Sequence, residues 1–141
     1  MIAEGDGLQI VSGLAHVCFV VSDLERALHF YCDLLGLTPA FAFERDGRKI
    51  GQYLHVGGRN FIELFQGDLA EPAERQSFRH LCLEVADVAA AAAALQARGV
   101  AVSEPTLGSD NAYQAWITDP DGNRIELHGY TPESKQTPYL A

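Results

Sequence analysis

The chain has 141 residues, of which 48% are apolar and 21% are charged, and its formal net charge is -9. This length suits one domain with a shared core, and the composition is that of a soluble globular protein. Lys and Arg are scattered along the chain, so no basic stripe is available for a nucleic acid. No apolar run approaches the ~20 residues that a membrane span requires. Nucleic acids and membranes are therefore excluded as expected partners.

The N-terminal residues, MIAEGDGLQIVSG, are acidic and lack the basic and apolar blocks of a signal peptide. The three cysteines, Cys18, Cys32 and Cys82, are odd in number and form no close metal-binding pair. This usage indicates reduced thiols rather than a disulfide framework. We therefore expect a cytoplasmic protein in which Cys18 and Cys82 are small packing residues.

Two segments of the chain repeat each other. The first block, AHVCFVVSDLERALHFYCDLLGL, aligns with RHLCLEVADVAAAAAALQARGV and places His16 and His80 64 residues apart. The second block, RNFIELF, aligns with NRIELHG and places Glu63 and Glu126 63 residues apart. Two blocks in the same order at nearly the same spacing indicate a duplication.

The duplication predicts one domain over residues 1–141, made of two modules. Module one covers about 13–66 and module two about 79–130, with a linker at 67–78 and a tail at 131–141 that we expect to be extended. Each module is predicted to fold as a strand, a helix and three further strands. The predicted elements are, in chain order, a strand at 15–21, a helix at about 24–35, strands at about 38–44, 49–56 and 60–66, a strand at 79–85, a helix at about 88–98, and strands at 101–104, 112–118 and 123–129.

Helix ends and turns mark the boundaries of these elements. Asp23 and Asp87 stand where N-caps accept hydrogen bonds from free backbone N–H groups. Gly36 and Gly99 follow the helices, as left-handed C-caps do. The segment Asp119-Pro120-Asp121-Gly122 is typical of a turn between strands. The pattern is therefore βαβββ, twice.

Alternation along the strands assigns the histidines and glutamates to one face of each sheet. Val17 and its alternate neighbours are expected to meet the helix, so His16 points the other way, and His80 does the same in module two. Glu63 has Phe61 and Phe65 as neighbours on its face, which is an unfavourable setting for an unpaired charge.

A single strand histidine is more often a hydrogen-bonded core residue than a ligand, and a single glutamate is usually solvated or paired, as Arg124 could pair with Glu126. Recurrence in both copies favours a shared role. Two carboxylates in apolar surroundings repel each other, and a dication between them removes that penalty. The pattern predicts one divalent metal per site, bound by His16, Glu63, His80 and Glu126. Two imidazoles, two carboxylates and water suit nickel, zinc, cobalt, manganese or iron.

The blocks HVCFVVSDLERALHFYCDLLGL, HLCLEVADV and ITDPDGNRIELHGY resemble the vicinal oxygen chelate superfamily of glyoxalases, bleomycin resistance proteins and extradiol dioxygenases, over about residues 13–130. The resemblance implies an α+β fold in which two tandem βαβββ modules form a cupped mixed sheet with helices on the outer face. It also implies a homodimer, often with residues of both chains lining each site. The four predicted ligands occupy the superfamily's ligand positions, a set closest to that of glyoxalase I.

The resemblance further implies a metal-dependent lyase or isomerase that acts on a small oxygenated metabolite through an enediolate or enolate. In that scheme a glutamate ligand leaves the metal and acts as the base, and the sequence does not choose between Glu126 and Glu63. Bacterial glyoxalase I usually has Arg four residues after its first ligand and Asn four after its second. Here these positions are Val20 and Gly67, which argues against glutathione as a co-substrate.

Two alternatives stay open. A non-haem-iron extradiol-type dioxygenase would use two histidines and one glutamate, with a nearby His and Tyr for proton handling. The residues available for that role, for which packing or surface positions are the ordinary interpretation, are His128, His55, Tyr53 and Tyr113. An antibiotic- or metabolite-binding protein of the same superfamily is the other alternative, although such members commonly lack the metal ligands.

Overall fold

The computed structural model describes residues 10–72 and 74–140, so the first nine residues of the acidic N-terminus lie outside the described part. The elements of module one are β1 (His16–Val21), α1 (Leu24–Leu28), β2 (Thr38–Arg45), β3 (Arg48–Gly57) and β4 (Asn60–Gln66). Those of module two are β5 (Leu81–Glu84), α2 (Val88–Ala97), β6 (Thr106–Leu107), β7 (Tyr113–Thr118) and β8 (Arg124–Gly129). The predicted βαβββ repeat is confirmed. None of the described helices is long and apolar enough to cross a membrane.

Each module forms its own four-stranded mixed sheet, ordered β1-β4-β3-β2 in module one and β5-β8-β7-β6 in module two. The first strand runs parallel to the last, and the other pairs are antiparallel. Glu63 lies between Cys18 and Tyr53 in this register. Glu126 takes the equivalent place beside Cys82. The duplication therefore sets one glutamate on the strand next to the edge of each sheet.

The helices begin at the predicted N-caps, where the Asp23 carboxylate accepts from the Arg26 N–H and the Asp87 carboxylate accepts from the Ala90 N–H. The sequence pattern predicted a regular helix over about 24–35, but the regular α-helix ends at Leu28. After α1 the chain widens into a π-helical turn at His29–Leu34, in which the Leu35 N–H donates to the Phe30 carbonyl. The wider turn accommodates two neighbouring aromatic residues, Phe30 and Tyr31, that are both buried.

One hydrophobic core joins the two modules on the helix side of their sheets. Its buried members are Phe19, Val21, Leu24, Ala27, Phe30, Tyr31, Leu54, Ile62, Leu64, Leu95, Ile117, Ile125 and Leu127. Several hydrogen bonds cross between the modules. The Ser22 N–H and hydroxyl both donate to the Asp121 carboxylate. The Tyr31 hydroxyl donates to Asp119 at 2.6 Å, and the Arg98 guanidinium donates to the Leu34 carbonyl at 2.6 Å. The faces that carry the predicted ligands point away from this core.

The second strand of module two departs from the prediction. The segment predicted as a strand at 101–104 contacts β7 through a single residue, Ser103, which exchanges hydrogen bonds with Trp116. Pro105 has no N–H to donate, so the ladder cannot continue through it. The paired strand is the two-residue β6 that follows.

The tail is folded back on the domain rather than extended. Residues Thr137–Tyr139 form a 3₁₀ turn, and Ser134 is buried with 3% of its surface exposed. The Thr131 and Ser134 hydroxyls both donate to the Asn111 carbonyl. Side-chain hydrogen bonds of this kind leave no periodic signal in a sequence, which explains why the prediction of an extended tail was wrong.

Candidate metal centre

Module one presents His16 and Glu63 together on the face that the alternation pattern predicted. The His16 Nε2 and Glu63 Oε1 atoms are 3.9 Å apart. Metal–ligand bonds to these atom types are about 2.0–2.2 Å long, so two ligand atoms on one ion lie within about 4 Å of each other. A hydrogen bond of 3.0 Å joins His16 Nδ1 to the Tyr53 hydroxyl. This bond engages Nδ1 and leaves Nε2 for a metal, as in known metal-binding histidines.

Aromatic side chains surround this pair on the open face of module one. The rings in mutual contact belong to Phe41, Phe43, Tyr53, Phe61 and Phe65. Phe41 and Tyr53 are stacked, with ring centroids 4.7 Å apart and an interplanar angle of 19°. Phe41 is nevertheless 52% exposed. The half-buried Glu63 carboxylate thus lies in an apolar setting that favours a cationic partner.

Module two surrounds its glutamate with different partners. The Cys82 thiol donates to Glu126 Oε2 at 3.2 Å, and His128 Nδ1 lies 3.2 Å from the same oxygen. Among the described residues, Cys82, Glu126 and His128 form the only set of three possible metal-ligand residues whose ligand atoms all lie within 4.8 Å. Desolvation of the sulfur, followed by the hydrogen bond to Glu126, raises the pKa of the Cys82 thiol to about 12. The thiol is therefore a hydrogen-bond donor at neutral pH.

The prediction that Cys18 and Cys82 are packing residues was wrong, because both are exposed on the site face. The pKa of the Cys18 thiol is raised as well. Desolvation is the larger cause, and the hydrogen bond with Glu63 is the next. The sequence signal was available. Cys18 follows its histidine by two residues, and residues two apart on a strand share a face.

His80 lies apart from the Cys82–Glu126–His128 cluster. Its ring packs edge-on against Trp116 with the centroids 4.7 Å apart, and the Arg124 guanidinium lies 4.3 Å above the same indole ring. Arg124 makes no ion pair with Glu126. A single chain thus brings His16 and Glu63 together, without gathering all four predicted ligands into one cluster of described residues.

The residues considered for proton handling fall into different environments. The Tyr53 hydroxyl is hydrogen-bonded to His16 Nδ1, and His55 Nε2 is hydrogen-bonded to the Gly58 carbonyl at 2.9 Å. Tyr113 is 48% exposed. His128 is 9% exposed, with a carboxylate near each ring nitrogen. His55 and Tyr113 therefore fit ordinary structural roles, whereas His128 belongs to the site.

Residues of both modules line one cleft of about 660 Å³, which runs beside the edge strands β1 and β5. His16, Cys82 and His128 are among its walls. Small-molecule sites in proteins have volumes of about 300–1,000 Å³. The cleft therefore has the size of a small-metabolite site.

Several curated proteins are similar to this chain. The protein YaeR of Escherichia coli K12, whose name calls it uncharacterized, is 33% identical over 123 residues, which cover 80% of this chain and 92% of YaeR. A 2-epi-5-epi-valiolone epimerase of Actinomyces sp. is 29% identical, with 87% of this chain and 82% of the epimerase covered. A probable lactoylglutathione lyase of Synechocystis sp. is 28% identical, with 81% and 92% covered.

Among solved structures, the antibiotic-binding protein TnmS3 of Streptomyces sp. CB03234 superposes with a TM-score of 0.72 at 30% identity, covering 88% of this chain and all of TnmS3. The proteins similar to this chain thus include enzymes and a binding protein. The family model of the glyoxalase/bleomycin resistance protein/dioxygenase superfamily matches residues 13–127. The chain therefore belongs to the glyoxalase/bleomycin resistance protein/dioxygenase superfamily.

Proposed function

We propose that this protein is a metal-dependent lyase or isomerase acting on a small oxygenated metabolite. The observation that carries the proposal is the His16–Glu63 pair, in which Nε2 and Oε1 are 3.9 Å apart while Tyr53 engages the other ring nitrogen. One divalent ion would be held by His16, Glu63, His80 and Glu126. The names of two relatives, an epimerase and a probable lyase, support this class of reaction.

The division of the ligands supports a homodimer as the active form. One chain brings His16 and Glu63 within 3.9 Å of each other, whereas its described residues do not gather His80 and Glu126 around the same point. Module one of one subunit facing module two of its partner would bring both half-sites together. The face of module one carries the exposed ring of Phe41, and burial of such apolar surface stabilises an interface by about 25 cal/mol per Å².

A divalent ion held by these residues would supply Lewis acidity to the substrate and would make the C–H beside its carbonyl more acidic. The carboxylate of Glu63 or Glu126 accepts that proton and returns it to the neighbouring carbon. The aromatic side chains around Glu63 give this transfer an apolar setting. Movement of a proton between neighbouring carbons makes the reaction an isomerisation through an enediolate or enolate, with no overall change in oxidation state.

Proton return from a carboxylate that exchanges with solvent predicts a direct test. Cobalt-loaded protein is incubated with methylglyoxal in D₂O, with and without glutathione, and proton NMR follows deuterium entering the product. We expect deuterium incorporation that ceases in Glu63→Gln and Glu126→Gln. Glu25→Gln, on the exposed side of α1, is the control. Full activity of metal-stripped protein would overturn the proposal, and oxygen uptake by iron-loaded protein would instead favour a dioxygenase.

A second candidate is a binding protein for an apolar antibiotic or metabolite. The likeness to TnmS3 at 30% identity favours it, as does the open aromatic face around Phe41. Calorimetry with aromatic metabolites, combined with product analysis, separates the two functions. Tight binding without turnover would favour the binding protein.

A further inference from the structure

We infer that the C-terminal tail positions the ligand Glu126 through a relay of three side chains, Gln136, Asp110 and His128, which we call the tail relay. This inference rests on the proposed function, because it assigns these residues to the metal site proposed there. None of the three belongs to the predicted ligand set.

The relay begins where the tail holds Asp110 at two points. The Gln136 side-chain amide donates to Asp110 Oδ2 at 2.7 Å, and the Lys135 backbone N–H donates to the Asp110 carbonyl at 2.9 Å. The Ala112 N–H donates to the other carboxylate oxygen at 3.1 Å. The hydrogen bond from Gln136, followed by that from Ala112, lowers the pKa of Asp110. The loop therefore presents an ionised carboxylate in a fixed orientation.

The tail itself is anchored to the same loop. The Thr131 hydroxyl donates to the Asn111 carbonyl at 2.7 Å, and the buried Ser134 hydroxyl donates to it at 2.9 Å. Asn111 has a φ of 63°, in the left-handed region that asparagine tolerates better than most residues. The tail and the loop thus form one unit, and a shift of the tail moves Asp110.

His128 links this unit to the ligand. Its Nε2 atom lies 3.5 Å from Asp110 Oδ2, an ion-pair distance, while Nδ1 lies 3.2 Å from Glu126 Oε2. The Nε2 atom is buried and has no hydrogen-bond partner among the described residues, so the Asp110 charge is its electrostatic partner. The ring is therefore held between two carboxylates in a buried position that limits its rotation.

The far end of the relay fixes one oxygen of Glu126. Oε2 faces His128 and also accepts from the Cys82 thiol, whereas no described residue donates a hydrogen bond to Oε1. A carboxylate held by one oxygen presents the other to a metal in a defined direction. Glu126 Oε1 is therefore the atom that the relay orients for metal binding.

Module one has no equivalent of the relay. The duplication aligns His128 with Phe65, a residue that cannot hydrogen-bond to Glu63. The relay is thus present in one copy of the repeat, and its effect is confined to the Glu126 half of the site.

The test is a Co²⁺ titration of the full chain, followed by the absorption of the bound ion. Loss of an outer hydrogen-bond partner typically weakens metal binding by about 10- to 100-fold, which we expect for His128→Ala. Gln136→Ala is expected to weaken binding by a smaller factor. Because both residues act along one path, the double variant should bind no more weakly than His128→Ala alone. Gln96→Ala, at an exposed position of α2, is the matched control.

The comparison of single and double variants distinguishes an effect of Gln136 that acts through His128 from a separate effect of Gln136 on the packing of the tail. Equal weakening by Gln136→Ala in the wild-type and His128→Ala backgrounds would overturn the relay, and so would unchanged affinity in every variant. A wild-type chain that binds no Co²⁺ would overturn the proposed function and the relay together. His128→Gln keeps most of the side-chain volume and replaces His128→Ala if the latter does not fold.

Discussion

Gly67 lies against Val20 at the end of β1. A Cβ atom on Gly67 would be 3.2 Å from Val20 Cγ1, and the Gly67 N–H donates to the Val21 carbonyl at 3.0 Å. These are the two positions at which the chain departs from the Arg and Asn of bacterial glyoxalase I. Because Val20 and Gly67 are in contact, both substitutions remove a polar side chain from the same part of the surface, at the end of β1. The pocket of about 500 Å³ beside Val20 has one charged lining residue, Asp121, and no cation.

We predict that glutathione does not increase turnover of the substrate. Its carboxylates are held most strongly by cationic side chains, none of which lines this pocket, and Asp121 would repel them. Initial rates with methylglyoxal at rising glutathione test this prediction. Val20→Arg should create glutathione affinity, whereas Leu107→Arg, at an exposed position of β6, should not. A saturable rise in rate for the wild-type protein would contradict the prediction.

Tyr53→Phe is predicted to weaken metal binding by about 10-fold, because the phenol hydroxyl orients His16 through Nδ1. The ring contacts with Phe41 and Phe61 are kept, so the free energy of unfolding should change little. A Co²⁺ titration and urea unfolding measure the two quantities. Tyr113→Phe, at an exposed position of β7, is the control. Unchanged affinity in Tyr53→Phe would show that His16 needs no such partner.

The repeat predicted the fold class because hydrophobic alternation and Asp N-caps are local signals that recur in both modules. The π-helical turn at His29–Leu34 and the two-residue strand β6 were missed. Both depend on how neighbouring side chains fill the core or on a proline that interrupts pairing. Those are tertiary effects that override local propensity.

Tyr31→Phe is predicted to lower the free energy of unfolding by about 1.5–3 kcal/mol, the usual contribution of a hydrogen bond to a charged group. The Tyr31 hydroxyl donates to the buried Asp119 at 2.6 Å and links the two modules. Urea unfolding monitored by circular dichroism measures the change. Tyr139→Phe, 85% exposed, should leave stability unchanged. A loss in Tyr31→Phe no larger than in this control would refute the assigned role.

The contribution of Tyr31 to stability is predicted to be lost above about pH 10. Burial, followed by the hydrogen bond to Asp119, raises the pKa of Tyr31 far above its usual value. The unfolded chain ionises this tyrosine near pH 10 while the folded chain does not, so its contribution is complete below that pH and is lost as the pH rises. The slope per tyrosine approaches about 1.4 kcal/mol per pH unit. Tyr31→Phe should show a shallower decline, and parallel curves would argue against this origin.

The duplication singled out Glu63 and Glu126 because both copies carry them. The sequence assigned Cys82 to packing, and it offered His128, which has no equivalent in module one, only as a candidate for proton handling. His128 gains its role from Asp110 and the tail, which the fold brings to it across a turn and a loop. A repeat reveals what two copies share. A site residue that is present in only one copy, such as His128, is recognised only from its contacts in the folded structure.

The central claim is that His16, Glu63, His80 and Glu126 bind one divalent ion. Its most direct test is the metal content of the purified protein after equilibrium dialysis against Co²⁺, measured by mass spectrometry for the wild type and four single alanine variants. We predict one ion per wild-type chain, a large loss in every variant, and no loss in the control His29→Ala, which is exposed on the π-helical turn. Retention of the ion by the His16, Glu63 and His80 variants, with loss in Glu126→Ala, Cys82→Ser and His128→Ala, would contradict the claim and assign the ion to the Cys82–Glu126–His128 cluster.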